Sequence, residues 1–67
     1  MIQISVNGKT EQIPTGETLQ GLLTTLSLRE DRVAVELNGE IVAAKRYETQ
    51  ALQDGDEVEI VTFVGGG

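Results

Sequence analysis

The sequence predicts an α+β fold in which a mixed sheet of about four to five strands packs on one main helix. Three observations carry that expectation. Two pairs of strand-like runs are each joined by Asn-Gly, at Asn7-Gly8 and Asn38-Gly39. A single helical stripe of leucines, Leu19, Leu22, Leu23 and Leu26, lies between the pairs. The strongly apolar run EVEIVTFV then leads into three glycines.

Taken in order, residues 2 to 6 alternate, with Ile2, Ile4 and Val6 on one side and Gln3 and Ser5 on the other. That is a half-buried strand. Asn7-Gly8 tolerates the positive φ angles of a tight hairpin turn. The returning strand, Thr10 to Ile13, is short and polar, which suits a sheet edge, and Pro14 ends it. The leucines then recur at i, i+3, i+4 and i+7. Thr15 or Gly16 is placed to cap that helix, and Glu17 is expected in its first turn. Gly21 in the helix interior costs about 0.8–1 kcal/mol relative to alanine, offset only if something approaches it closely. Ser27 to Arg32 reads as a polar connection.

Val33, Val35 and Leu37 alternate with Ala34 and Glu36, and EIVA returns after Asn38-Gly39. Residues 45 to 53 read as irregular surface chain, with Tyr47 plugging an end of the core and Lys45-Arg46 solvated. DGDE forms a turn in which Gly55 is free to be left-handed. The final strand alternates at Val58 and Ile60 and becomes continuously apolar at Ile60-Val61. That pattern predicts a central strand beside the first one, covered on both faces near its end. Hairpin, helix, hairpin and final strand together describe a β-grasp arrangement. The expected division is a folded domain over residues 1–64 and a flexible tail over 65–67.

Composition bounds the chemistry. The chain has 67 residues, 39% of them hydrophobic, with no cysteine and no histidine. One core at this length supplies roughly 3–5 kcal/mol of net stability. Disulfides, thiol nucleophiles and Ser-His-Asp catalysis are excluded, and zinc loses its usual ligands. Eleven acidic residues against five basic give a net charge of −6. That balance argues against nucleic acid or an anionic membrane as partner. No apolar run has transmembrane length and no signal peptide is evident, so a cytoplasmic location is the expectation. Gly8, Gly16 and Gly21 make no phosphate-cradling pattern, so any ATP must be bound by another protein.

What is left is the end, VTFVGGG. Glycines without Cβ atoms thread a narrow channel and present the last carboxylate unshielded. The bland alternative is a disordered end. If Val58 and Ile60 face the helix, Val61 and Phe63 face away. They then form either a docking patch with an aromatic anchor or the closing part of the core. Glu59 is a candidate for a partner salt bridge. Asp54, Asp56 and Glu57 read as a turn in preference to a cation site.

On the segments GETLQGLL, VAVELNGEIV and LQDGDEVEIVTFVGGG, the chain resembles the ThiS family of ubiquitin-like sulfur carriers. Val64 stands where ubiquitin typically has arginine before its Gly-Gly, and Thr62-Phe63-Val64 is unlike the prolines common in molybdopterin synthase small subunits. The resemblance implies a non-enzymatic carrier without a cofactor of its own. An E1-like adenylyltransferase of the ThiF type would activate the Gly67 carboxylate with ATP and Mg. Sulfur from a donor such as a cysteine desulfurase would leave a thiocarboxylate at Gly67. A thiazole synthase of the ThiG type would take that sulfur for thiamin. Gly65 and Gly66 would thread the tail, and Glu59, Val61, Phe63 and Val64 would dock. Sulfur delivery to molybdopterin or another metabolite, a protein modifier, and a plain binding module are the alternatives.

Overall fold

The computed structural model describes residues 1–63; Val64 and the expected tail, Gly65 to Gly67, lie outside the described residues. Five strands form one sheet: β1 (Ile2–Val6), β2 (Lys9–Ile13), β3 (Val33–Leu37), β4 (Glu40–Val42) and β5 (Glu57–Thr62). Their order across the sheet is β2-β1-β5-β3-β4. The final strand is therefore central and the polar β2 is an edge, as the sequence predicts. β1 runs parallel to β5, and the other pairs are antiparallel. Both Asn-Gly turns have the expected positive φ, 53° and 82° at Asn7-Gly8 and 53° and 86° at Asn38-Gly39.

Helix α1 (Leu19–Thr25) covers one sheet face. Its Leu19, Leu22 and Leu23 are buried with Ile4, Ile13, Val33, Val35, Val58 and Ile60, and Leu26 packs partly against them. The helix starts later than the local signals indicate. Thr18 is the N-cap, not Thr15 or Gly16, and its Oγ1 accepts the Gly21 N–H at 3.2 Å. Glu17 consequently precedes the helix and is not in its first turn. The reason is non-local. The Leu19 N–H donates to the Gln50 carbonyl and the Gln20 N–H to the Tyr47 carbonyl. With Gly21 on the Thr18 hydroxyl and the Thr18 N–H on the Glu17 carboxylate, all four orphan donors of the first turn are satisfied, and Leu22 N–H to the Thr18 carbonyl opens the intrahelical ladder. The Leu52 N–H donates to the Glu17 carbonyl and completes the strap. The close approach at Gly21 is by the Glu17 carboxylate, which folds back over the helix start and accepts the Thr18 N–H; as the far end of a flexible side chain, it could swing aside for a Cβ.

Past the C-cap Leu26 the chain is turned by Ser27, which is left-handed at φ 60°. Ser27 N–H reaches the Thr24 carbonyl and Leu28 N–H the Leu23 carbonyl, which is the paired bonding of a Schellman motif. This turns Leu28 back onto the core inside a segment that reads as polar.

The stretch 45–53 is less irregular than its composition predicts. A 3-10 turn (Ala44–Arg46) leads into it, and Tyr47 and Leu52 are buried at 2% and 3% exposure. Tyr47 plugs the core as expected. Burial, and secondarily the Glu30 carboxylate, raise its phenol above the ordinary value of 10.0. The folded chain thus holds this proton more tightly than the unfolded chain does. Stability from that difference is fully present below the unfolded value and is lost as pH rises through the folded one. The melting temperature is expected to fall above about pH 10, and Tyr47→Phe is expected to flatten that fall. Superimposable alkaline melting profiles for the two proteins would refute the assignment.

The DGDE turn is a turn. Gly55 has φ 89°, Asp54 accepts the Gln3 N–H at 2.8 Å, and Asp56 accepts the Gln53 N–H at 2.8 Å. Among the described residues no group of three acidic side chains is arranged to hold a metal ion. Among them, too, no helix is long and apolar enough to cross a membrane.

Candidate functional site: the outer end of the last strand

β5 alternates from Glu57 to Val61, and Thr62 at its end is exposed. Val58 and Ile60 turn inward to the helix, at 1% and 8% exposure. Val61 and Phe63 turn outward and remain 61% and 56% exposed. This corrects the expectation that the strand is covered on both faces near its end. The continuous run Ile60-Val61 arises because each face of the strand receives an apolar residue, while only the inner face meets the helix. Of the two readings of Phe63, the exposed one holds.

The outer face has a definite composition, set by register. Val61 lies opposite Ala34 on β3, and Glu59 lies opposite Glu36. Ala34 is too small to shield Val61. Ile41 on β4 lies opposite Glu36 and is 80% exposed. Val61 and Phe63 thus form an apolar end to a face whose other end carries Glu36, Glu57 and Glu59. Glu59 and Glu36 are like charges directly across a strand pair, which costs stability unless a cation meets them. Among the described residues the one ion pair is Arg29–Asp31, elsewhere on the surface. Neither carboxylate is therefore neutralised within the described part of the chain.

The backbone under this patch is well held. The Phe63 N–H donates to the Arg32 carbonyl at 2.8 Å, so pairing with β3 continues one residue past the strand. Of the site residues expected from sequence, Glu59, Val61 and Phe63 are brought together on one face. Val64, Gly65, Gly66 and Gly67 follow directly from it, outside the described residues. Ala34, Glu36 and Ile41 were not legible as neighbours, because their placement needs the β3–β5 register. A shallow recess lined by Leu37, Asn38, Glu40, Ile41, Val42, Arg46 and Gln50 sits near the β3–β4 turn, at the start of β5 and away from Phe63.

The family comparison decides what this arrangement belongs to. The ThiS family model matches residues 3–67, which is nearly the whole chain. The chain belongs to the ThiS family. A sulfur carrier protein ThiS of Bacillus subtilis is 48% identical over 50 residues, covering 75% of this chain and 76% of that protein. A thiazole synthase of Magnetococcus marinus is 39% identical over 66 residues. That match covers 98% of this chain, which spans only 20% of the synthase's length. The crystal structure of a thiamine biosynthesis protein (ThiS) from Geobacter metallireducens superposes with a TM-score of 0.84 at 33% identity, over 98% of this chain and all of that one. The ubiquitin-like β-grasp fold expected from the sequence is therefore the fold of this ThiS-family chain.

Proposed function

We propose that this ThiS-family chain carries sulfur as a thiocarboxylate on Gly67 and supplies it for thiazole formation in thiamin biosynthesis. The observation that carries the reading is the family match, which runs through Gly67 itself. The exposed Val61–Phe63 patch on a fixed strand supports it, since a reactive tail needs a docking surface at its base.

The chemistry has three steps. The Gly67 carboxylate attacks the α-phosphate of ATP on a partner adenylyltransferase, releasing pyrophosphate and leaving an acyl adenylate. The terminal sulfur of a persulfide on a donor such as a cysteine desulfurase then displaces AMP to give an acyl disulfide, and a thiol cleaves its S–S bond, forming a disulfide with the donor cysteine and leaving the thiocarboxylate. ATP and Mg belong to the partner of the ThiF type, because this chain has no phosphate-binding glycine motif. The chain is acted on and is not the catalyst. A net charge of −6 and the unneutralised Glu36 and Glu59 suit a basic rim on that partner.

A thiazole synthase of the ThiG type is the proposed acceptor. The thiazole synthase relatives support it, since they include within one longer protein a region similar to this chain. The test is complementation of a bacterium lacking its own thiazole sulfur carrier. Growth without thiamin is expected. Failure to grow, with restored activity in a strain lacking the molybdopterin carrier, would redirect the sulfur to molybdopterin.

A further inference from the structure

The two Asn-Gly turns do more than reverse the chain. Each places its asparagine amide against the backbone of β5, from opposite flanks. On the β3 side, Asn38 N–H donates to the Glu57 carbonyl at 2.7 Å, and its Oδ1 accepts the Glu57 N–H at 2.9 Å. This pins the start of β5. On the β1 side, the ladder ends at the pair Val6–Val58, and Asn7 N–H donates to the Val58 carbonyl at 2.9 Å. The main chain then turns away at Asn7-Gly8. The Asn7 side chain continues where the strand stops. Its Oδ1 accepts the Ile60 N–H at 2.7 Å and its Nδ2 donates to the Ile60 carbonyl at 3.1 Å.

A primary amide offers one acceptor and donors at the spacing of a peptide group. Asn7 therefore acts as the residue that β1 does not supply. β5 is held on both flanks as far as Ile60. Past that point only the β3 flank holds it, through Val61–Ala34, Thr62–Val33 and the Phe63 N–H. The latch sits three residues before Phe63, on the last stretch of backbone before the proposed reacting segment.

We propose that Asn7 is a positioning residue for delivery of the C-terminal segment: by holding Ile60 it fixes the direction in which the chain leaves Phe63. This rests on Gly67 being the reacting end. Without the latch, two-flank support ends at Val58 instead of Ile60, so the two-stranded ribbon that carries residues 61–63 lengthens to begin at Glu59, and such a ribbon twists more freely than a sheet interior. Docking must then restore that order. Re-ordering one residue corresponds to about five- to thirtyfold in affinity. Once the tail is bound, the chemistry at the carboxylate is unchanged.

The test compares Asn7→Gly with Asn38→Gly. Glycine accepts the positive φ at both turns, and each variant loses its side chain's bonds to β5. In the isolated chain, faster amide exchange at Ile60 and lower backbone order at residues 61–63 are expected for Asn7→Gly and not for Asn38→Gly. With the adenylyltransferase, ATP and Mg, the KM for Asn7→Gly is expected to rise roughly five- to thirtyfold at nearly constant kcat. Asn38→Gly is expected to stay within about twofold of wild type at a similar loss of melting temperature. Equal KM values for wild type and Asn7→Gly, or equal order at residues 61–63 in the two variants, would overturn the proposal. If Asn7→Gly does not fold, Asn7→Asp serves, since it keeps the acceptor for Ile60 N–H and sets a carboxylate oxygen against the Ile60 carbonyl. A wild-type chain that is never adenylated refutes the proposed function, while the exchange and order measurements still decide the role of Asn7.

Discussion

Deleting Gly66 and Gly67 is expected to abolish thiocarboxylate formation and leave the melting temperature within about 2 °C of wild type. The two halves of that expectation have separate causes. Among the described residues, every buried core residue lies between Ile4 and Ile60. The last described backbone bond that ties the chain down is Phe63 N–H to Arg32. Removing Gly66 and Gly67 takes away no side chain and none of the described core residues. The proposed chemistry has no second site, since the chain contains neither cysteine nor histidine. A truncated chain that still supports growth without thiamin would show the tail to be inert. A truncated chain that unfolds would show that the tail belongs to the fold.

Phe63→Ala is expected to weaken binding to the adenylyltransferase about ten- to thirtyfold, with a much smaller loss of stability. Phe63 is 56% exposed before docking, so more than half of its surface is available to a partner. Fully burying such a side chain contributes about 1.5–3 kcal/mol, and interface anchors of this type often exceed their share of area. Val61 beside it extends the contact, and Ala34 opposite is too small to interfere. Calorimetric titration alongside thermal melting separates the two quantities. Unchanged affinity with a large drop in melting temperature would assign Phe63 to the fold and remove it from the docking surface.

The sheet was legible because its signals are local. Alternation marks β1, β3 and the first part of β5, and two Asn-Gly pairs mark the hairpins. The continuous apolar run late in the last strand pointed to a central place, and β5 is central. What was not legible depends on contacts between distant segments. Thr18 takes the cap from Thr15 and Gly16 because Tyr47 and Gln50 carbonyls already wait for the Leu19 and Gln20 N–H groups. Leu52 looks like part of a surface loop until that strap draws it inward. The apolar pair Ile60-Val61 reads as two-sided burial, whereas the molecule has a single layer of helix and leaves the Val61 side open. Asn7 and Asn38 announce turns by their dipeptides. Their grip on β5 depends on a register that no dipeptide encodes.

The central claim is that the Gly67 carboxylate is the group that carries sulfur. Its most direct test is the intact mass of the wild-type chain after incubation with the adenylyltransferase, ATP and Mg, a persulfide donor and a thiol. Replacement of one oxygen by sulfur, mapped to the C-terminal peptide, is the predicted result. An unchanged mass, under conditions where the same enzyme converts its own carrier, would contradict it.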